Sequence, residues 1–425
     1  MSQLKPSQVA REPEPETPLD SGQPASLGDA ARAYVAKVRG GDVGALPAVL
    51  GLVVLYIVFA ILRPTTFTNA FNFANLIVQA APIIVFAMGL IFVLLLGEID
   101  LSAGFTGGTA ACTLLVAMTK HGLNWPLSVV LCLLTGTLIG FCIGWLVAWL
   151  GIPSFVVTLA AFLGLQGVML IVIGEGGTIA VRNDTILALQ NNNMPVWLGW
   201  VLFAVVVGGY ALLTFRRSVT RRAHGLTGDP MPVWAVKSGA LAVIVGLAVL
   251  FLSKNRSPGT LVIKGVPIVV AILVGLLVLL TFVLTRTSWG RHVYAVGGNA
   301  EAARRAGINV PMVRLACFMV CSTLAAVAGI LLVSYDNSVS PTTGGQLTLL
   351  FAVGAAVIGG TSLFGGKGRI VDAVIGGFVV QIIANGMALL NQPSGRVYMV
   401  TGLVLLVAAS VDALSRRRAA ASGRA

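Results

Sequence analysis

"FANLIVQAAPIIVFAMGLIFVLLL", residues 73 to 96, contains no charged residue and two polar ones, Asn75 and Gln79. As an α-helix rising about 1.5 Å per residue it reaches roughly 36 Å, more than the ~30 Å hydrocarbon core of a bilayer. A run this long and this apolar reads as a membrane span. Similar runs recur at 46–62, 101–119, 126–149, 153–173, 194–215, 233–252, 265–285, 313–333, 346–360, 370–390 and 397–413. The expected fold is therefore an all-α polytopic membrane protein of about 12 transmembrane helices (roughly 10–12 when the short runs are weighed). The run at 346–360 is short and glycine-rich. For it, and for 101–119, two readings stand: a full span, or a broken or re-entrant element.

Composition agrees. Of 425 residues, 57% are hydrophobic and 10% charged, with a mean hydropathy of +0.93, whereas soluble domains carry about 25% charged residues. The 50 glycines suit close helix packing in lipid. The net charge of +13 fits basic cytoplasmic loops. No basic stretch is interleaved with aromatics, so nucleic acid is not an expected partner. The five cysteines all lie in apolar runs and the three histidines in separate loops. Neither a disulfide framework nor a metal site is expected.

Residues 1–45, with "REPEPETP" at 11–18, cannot bury a core and read as a disordered tail. The membrane domain then covers 46–415, and 416–425 form a basic tail. With the N-terminus inside and the spans alternating, 21 of the 28 Lys and Arg fall on the inner side and 7 on the outer. That asymmetry places both termini in the cytoplasm. Lys254 and Arg256 fall outside, against the trend. The long polar stretch 174–195 lies on the same outer side, as a docking surface or as a cap over the bundle.

One inner stretch stands out. "GGNAEAARRAGIN", residues 297 to 309, carries three charges between apolar runs. Asn299 is suited to N-cap a short helix, with Glu301 in its first turn and Gly307 as its left-handed stop. Ala302, Ala303 and Ala306 leave one face nearly smooth. So short a helix is not stable alone; it needs its own bundle or another protein to lie on.

The ordered set "GEIDLSAG" (97–104), "IPSFVVTLA" (152–160), "RTSWGRHVYAVGGNAEAARRAGINV" (286–310) and "VIGGTSLFGGKG" (357–368) resembles the monosaccharide permeases of ABC importers. The extra segment at about 216–264, with "RRSVTRRAHGLTG" at 216–228, is similar to the xylose-type subgroup. The resemblance implies a pathway for a pentose such as D-xylose, in a bacterial inner membrane, built from two permease copies in contact with lipid. It implies an ABC ATPase subunit that holds ATP and Mg, and an extracytoplasmic sugar-binding protein. This chain itself would bind no cofactor. Gly298, Asn299, Glu301, Ala302, Ala303, Arg304 and Gly307 would contact the ATPase.

The remaining candidates carry two readings each. "TSLFGGKG" (361–368) fails the phosphate-cradling loop pattern at both ends, so catalysis is not expected of this chain. Glu98, Asp100 and Ser102 lack a nucleophile or histidine beside them. They read as helix capping and packing, with Glu98 at the headgroup boundary, or as a coupling contact. "GGTSLFGG" (359–366) echoes "GEIDLSAG" as a second inner hairpin. Gln79, Gln166, Gln381 and Asn385, polar inside spans, either line the solute path or tie helices together. Gly136, Gly140 and Gly144 mark a close-packing stripe, within the chain or between copies. The competing functions are a self-sufficient secondary transporter and the permease of another ABC importer, such as a branched-chain amino-acid system.

Overall fold

The structure is a computed structural model and describes residues 28, 32, 46–224, 231–257, 259, 260 and 262–421. The expected tail 1–45 lies outside the described residues apart from Gly28 and Arg32. Each of the twelve apolar runs is a helix. In chain order the elements are α1 (Leu46–Leu62), α2 (Pro64–Phe67), α3 (Ala70–Leu95), α4 (Ala103–Thr119), α5 (Trp125–Ala148), α6 (Ser154–Ile173) and β1 (Ile179–Ala180). Next come α7 (Asp184–Asn191), α8 (Val196–Ala223), α9 (Met231–Ser253), α10 (Ile268–Arg286), α11 (Ser288–Gly298) and α12 (Ala300–Arg305). The chain continues through α13 (Val310–Asp336), β2 (Ser338–Val339), α14 (Gln346–Gly359), α15 (Ile370–Leu389) and α16 (Ser394–Ala421). Among the described residues eight helices are long and apolar enough to cross a membrane, and four more are apolar but shorter. The last helix runs on through Ala421, into the stretch read as a basic tail.

A helix that is apolar all round either faces lipid or fills the middle of a bundle. Both fates occur. In α3 every residue from Ile84 to Leu95 is buried, and α13 is buried along most of its length; these two cross the centre and pack on each other. By contrast α6 and α8 keep most of their apolar surface outward. Gly136, Gly140 and Gly144 of α5 lie against Ser322, Phe318 and Leu315 of α13. The stripe is thus a seam within the chain.

The packing repeats itself. α3 lies on α15 as α13 lies on α5; α4 packs on α5 and α13 as α14 packs on α15 and α3. The helices α3 to α6 thus correspond to α13 to α16. Because α3 and α13 run antiparallel, with Gln79 beside Tyr335 and Gly89 beside Cys321, the two halves have inverted topology.

The inversion corrects one sequence reading. "GEIDLSAG" corresponds to the segment 337–345, and its likeness to "GGTSLFGG" is not a structural one. Both corresponding segments enter the bundle instead of turning at its surface. Asp100 and Ser102 are fully buried, with the Asp100 carboxylate against Cys321, well inside α13. Thr343 and Gly344 are buried too, and Gly344 meets Gly104 at the start of α4. The helices that follow are correspondingly short: α14, with 14 residues, is only about 21 Å long. Of the two readings for 101–119 and 346–360, the broken one describes both: each segment enters at one end of the bundle and its helix leaves at the other, α4 beside the end of α6 and α14 beside the start of α15.

At the far end from α12, the stretch 174–195 forms a helical cap. α7 is tied to α13 through Ser334, whose hydroxyl donates to Ile186 O at 2.7 Å, and β1 pairs with β2. The anomalous Arg256 is a staple. Its guanidinium donates to Leu252 O and Gly265 O, both at 2.9 Å, and to Asn193 Oδ1 at 2.5 Å. It closes the C-terminus of α9, where a cation is favoured, and holds the α9–α10 loop to the segment before α8. Lys254 is exposed. Arg256→Ala is expected to orphan these acceptors at a cost of about 1–3 kcal/mol, lowering the unfolding midpoint in detergent. Lys254→Ala should leave that midpoint in place.

Candidate functional site

The site is built on α11 and α12. α11 is amphipathic: Gly290, Val293 and Val296 are buried, at spacings that share one helix face. Trp289 stacks on Phe92 of α3 with ring centroids 5.7 Å apart. The Tyr294 hydroxyl donates to Gly368 O at 2.7 Å, and its partial burial raises the phenol above its ordinary range. α11 therefore lies across the end of the bundle and is fixed at three points.

Gly297, in the last turn of α11, lies at a junction of three turns. A Cβ there would overlap the Leu95 carbonyl oxygen, the same oxygen that accepts from Gly366 N at 2.9 Å. Gly365 and Gly366 both have positive φ, 84° and 73°, which lets that hairpin pass so close. The neighbouring Gly298 is exposed, and a Cβ on it would meet nothing within 4 Å. Sequence reasoning named Gly298; the packing glycine is Gly297.

From this junction α12 projects. Asn299 caps it as expected, its side chain accepting from Ala302 N at 2.9 Å. Gly307 has φ +83°. The bonds Ile308 N to Ala303 O at 3.1 Å and Gly307 N to Arg304 O at 3.0 Å complete a Schellman stop. Ala303 is buried against the bundle, while Glu301, Ala302, Arg304, Arg305 and Ala306 are exposed. Glu301 bonds Arg304 at 2.9 Å and Arg305 at 3.0 Å. Those bonds hold its carboxyl below the usual range. Exposed pairs of this kind add little stability; they fold three charges onto one side and leave Ala302 and Ala306, four residues apart, as a smooth outer ridge.

A second link missed by the sequence reading joins Glu98, just past α3, to Arg314 near the start of α13 at 3.4 Å. Glu98 is thus a paired residue with little exposure. Ser102 stands at the N-cap of α4 but makes no side-chain cap bond. Its N–H and hydroxyl both donate to Asp100 Oδ1, at 2.8 and 2.6 Å, an Asx turn. Asp100 is also deeper than its place in the chain suggested.

The intramembrane amides divide. Gln381 bonds Gln79 at 2.7 Å and Gln79 bonds Tyr335 at 3.1 Å. Asn385 instead pairs with Asn72, at 3.1 and 3.0 Å. Gln166, on α6, joins neither group. Tyr335 and Asn72 had no signal that would have singled them out.

A membrane bundle of inverted halves, with a short capped helix held out at one end, is matched over residues 72–409 by the family described as Branched-chain amino acid transport system / permease component. This chain belongs to that family. It is a multi-pass membrane protein of this permease family. It is 34% identical to the Xylose transport system permease protein XylH of Escherichia coli K12 over 370 residues, 87% of this chain and 92% of that one. With the XylH protein of Haemophilus influenzae it shares 32% over 369 residues, 87% and 96% of the two chains. With the Ribose import permease protein RbsC of E. coli K12 the figure is 30% over 369 residues, 86% and 92%. No solved structure matches it.

Proposed function

We propose that this chain is the transmembrane subunit of an ABC monosaccharide importer and that its solute is D-xylose or a similar pentose. The observation that carries the reading is α12: a six-residue helix, too short to hold itself, is capped at both ends and seated through Ala303. It presents Ala302 and Ala306 to whatever lies beyond. Resemblance to the xylose permeases supports the solute class, and the basic-residue count supports a cytoplasmic site for α12. A separate ATPase subunit, holding ATP and Mg, would receive that ridge. Two copies of this chain would form the pathway, and an extracytoplasmic binding protein would deliver the sugar. Hydrolysis would belong to the partner; in keeping with this, Gly366 N, in the one glycine–lysine loop resembling a phosphate cradle, donates to Leu95 O.

ATP acts on such a machine only through different affinities for its states. The rigid contacts of α11 would carry that difference inward: α12 to Gly297, Gly297 to the Leu95 and Gly366 turns, and Arg314 to Glu98 and the inward segment behind it.

The test is Ala302→Trp. It leaves the buried Ala303 and both caps intact, so insertion should match the parent. Co-purification with the ATPase and sugar-stimulated hydrolysis should fall at least about tenfold, the equivalent of one lost docking contact of roughly 1.4 kcal/mol. Unchanged hydrolysis would remove α12 from the coupling path. The second reading, a secondary transporter, gains one observation, the buried carboxylate of Asp100. Uptake by the chain alone, driven by an ion gradient and lost in Asp100→Asn, would establish that reading in place of the first.

A further inference from the structure

Two amide pairs join α3 to α15, and their bonding is not equivalent. Asn72 and Asn385 exchange both hydrogen bonds, and the second Asn72 N–H goes to Phe67 O at 3.0 Å. That pair is buried and closed on itself, as a structural clasp should be. One to two turns further into the bundle lies a chain with a direction: Gln381 donates to Gln79 Oε1, and Gln79 donates to the Tyr335 hydroxyl. Among the described residues, the Tyr335 O–H finds no acceptor and Gln381 Oε1 no donor. The chain therefore ends in unspent capacity at both ends, and Tyr335 is 36% exposed. Buried or half-buried groups in that condition are costly unless water or a solute completes them.

The surroundings say which solute. Tyr335 opens a polar stretch in which Asp336, Asn337, Thr342 and Gln346 are exposed. Lipid does not tolerate such a wall, so this side of the bundle is wet. The stretch leads inward to Gly344, where the two inward segments meet. Amide and phenol groups each offer donor and acceptor, as sugar hydroxyls do. No cation lies in the cluster, and Asp336, next along the chain, would repel a carboxylate. A zwitterion would thus be desolvated there without a partner for its negative end. A neutral polyol meets no such penalty.

We infer that Gln79, Gln381 and Tyr335 form a binding point for a neutral, polyhydroxylated solute at the mouth opposite α12, while Asn72 and Asn385 only hold the helices beside it. This rests on the importer reading and adds the solute contact to it. It also splits the set Gln79, Gln166, Gln381 and Asn385, which sequence alone left undivided, with Gln166 in neither group.

The test uses the full-length chain reconstituted in liposomes with its ATPase and binding protein, with labelled D-xylose as probe. Uptake and ATP hydrolysis are measured together. Tyr335→Phe removes one hydroxyl and keeps the ring. Gln79→Met keeps the length and removes the amide. Each should lower sugar moved per ATP hydrolysed about fivefold to tenfold, the worth of one hydrogen bond, with stimulated hydrolysis within about twofold of the parent. Asn385→Leu should lower thermal stability and leave the ratio alone. An unchanged ratio in both Tyr335→Phe and Gln79→Met overturns the inference, and so does failure of both variants to insert, which would assign the chain to folding. A parent chain that shows no ATP-dependent D-xylose uptake would overturn the importer reading instead, before any variant is compared.

Discussion

Gly297→Val is expected to abolish ATP-driven transport in a chain that still inserts. The new Cβ would fall on the Leu95 carbonyl oxygen, and neither side can yield cheaply. Leu95 ends α3, whose preceding turns are wholly buried, and its oxygen already accepts from Gly366 N. The relief available is to lift α11 off the bundle, against the Trp289–Phe92 stack and the Tyr294–Gly368 bond. α12 follows directly through Asn299, so the ridge of Ala302 and Ala306 moves with it. Overpacking of this sort costs about 1–3 kcal/mol where it can relax. Since it relaxes into the docking geometry, coupled hydrolysis should drop more than about tenfold. Gly298→Val meets nothing within 4 Å and should remain near the parent. Gly307→Val lies between them: it has room, but φ +83° costs roughly 1–2 kcal/mol for a side chain. Parallel measurement of membrane insertion and ATPase stimulation orders the three. If Gly297→Val and Gly298→Val behave alike, α12 is not positioned through this junction.

That pair also shows where the sequence stops being legible. Two adjacent glycines look the same until the carbonyl opposite one of them is known, and that carbonyl is some two hundred residues away. What hydropathy reports, it reports well: the runs 153–173 and 370–390 became Ser154–Ile173 and Ile370–Leu389. The run 194–215 stops short of the helix, which continues to Ala223. Arginine is a good helix former, so Arg216, Arg217 and Arg221 end the apolar stretch without ending the helix. Local capping was readable for the same reason that Asn299 and Gly307 are readable: the chemistry is complete within a few residues. Depth was not. Glu98 and Asp100 sit two residues apart, one paired at the end of the bundle and the other beside Cys321 inside it. Nothing in "GEIDLS" says that the chain turns inward between them. Inverted halves hide likewise, since 97–104 and 337–345 share a role and almost no residues.

The meeting of those halves supports the second large effect. Gly344 has φ +73°, and a Cβ on it would overlap the Gly104 carbonyl oxygen; a Cβ on Gly104 would overlap that of Gly344 in turn. The two burdens can be separated. Gly151 has φ +68° and open space around it, so Gly151→Ala reports the left-handed backbone alone, about 1–2 kcal/mol. Gly104→Ala, on ordinary helical backbone at the start of α4, reports the close approach alone, about 1–3 kcal/mol. Gly344→Ala carries both and should lose about 2–5 kcal/mol, enough to unfold a marginal membrane domain on mild heating. The unfolding midpoint in detergent should therefore fall in the order Gly151→Ala, Gly104→Ala, Gly344→Ala. Transport separates further. Gly151 lies in the turn between α5 and α6, away from this contact, so Gly151→Ala should transport normally. Gly104→Ala wedges the place where the two inward segments meet, and on the proposed path along the Tyr335–Gln346 wall solute would pass that place. Uptake by Gly104→Ala is expected to fall more than its stability does. A Gly104→Ala chain with parental stability and parental uptake would mean that these segments give way freely, and that their contact bears no part of the gate.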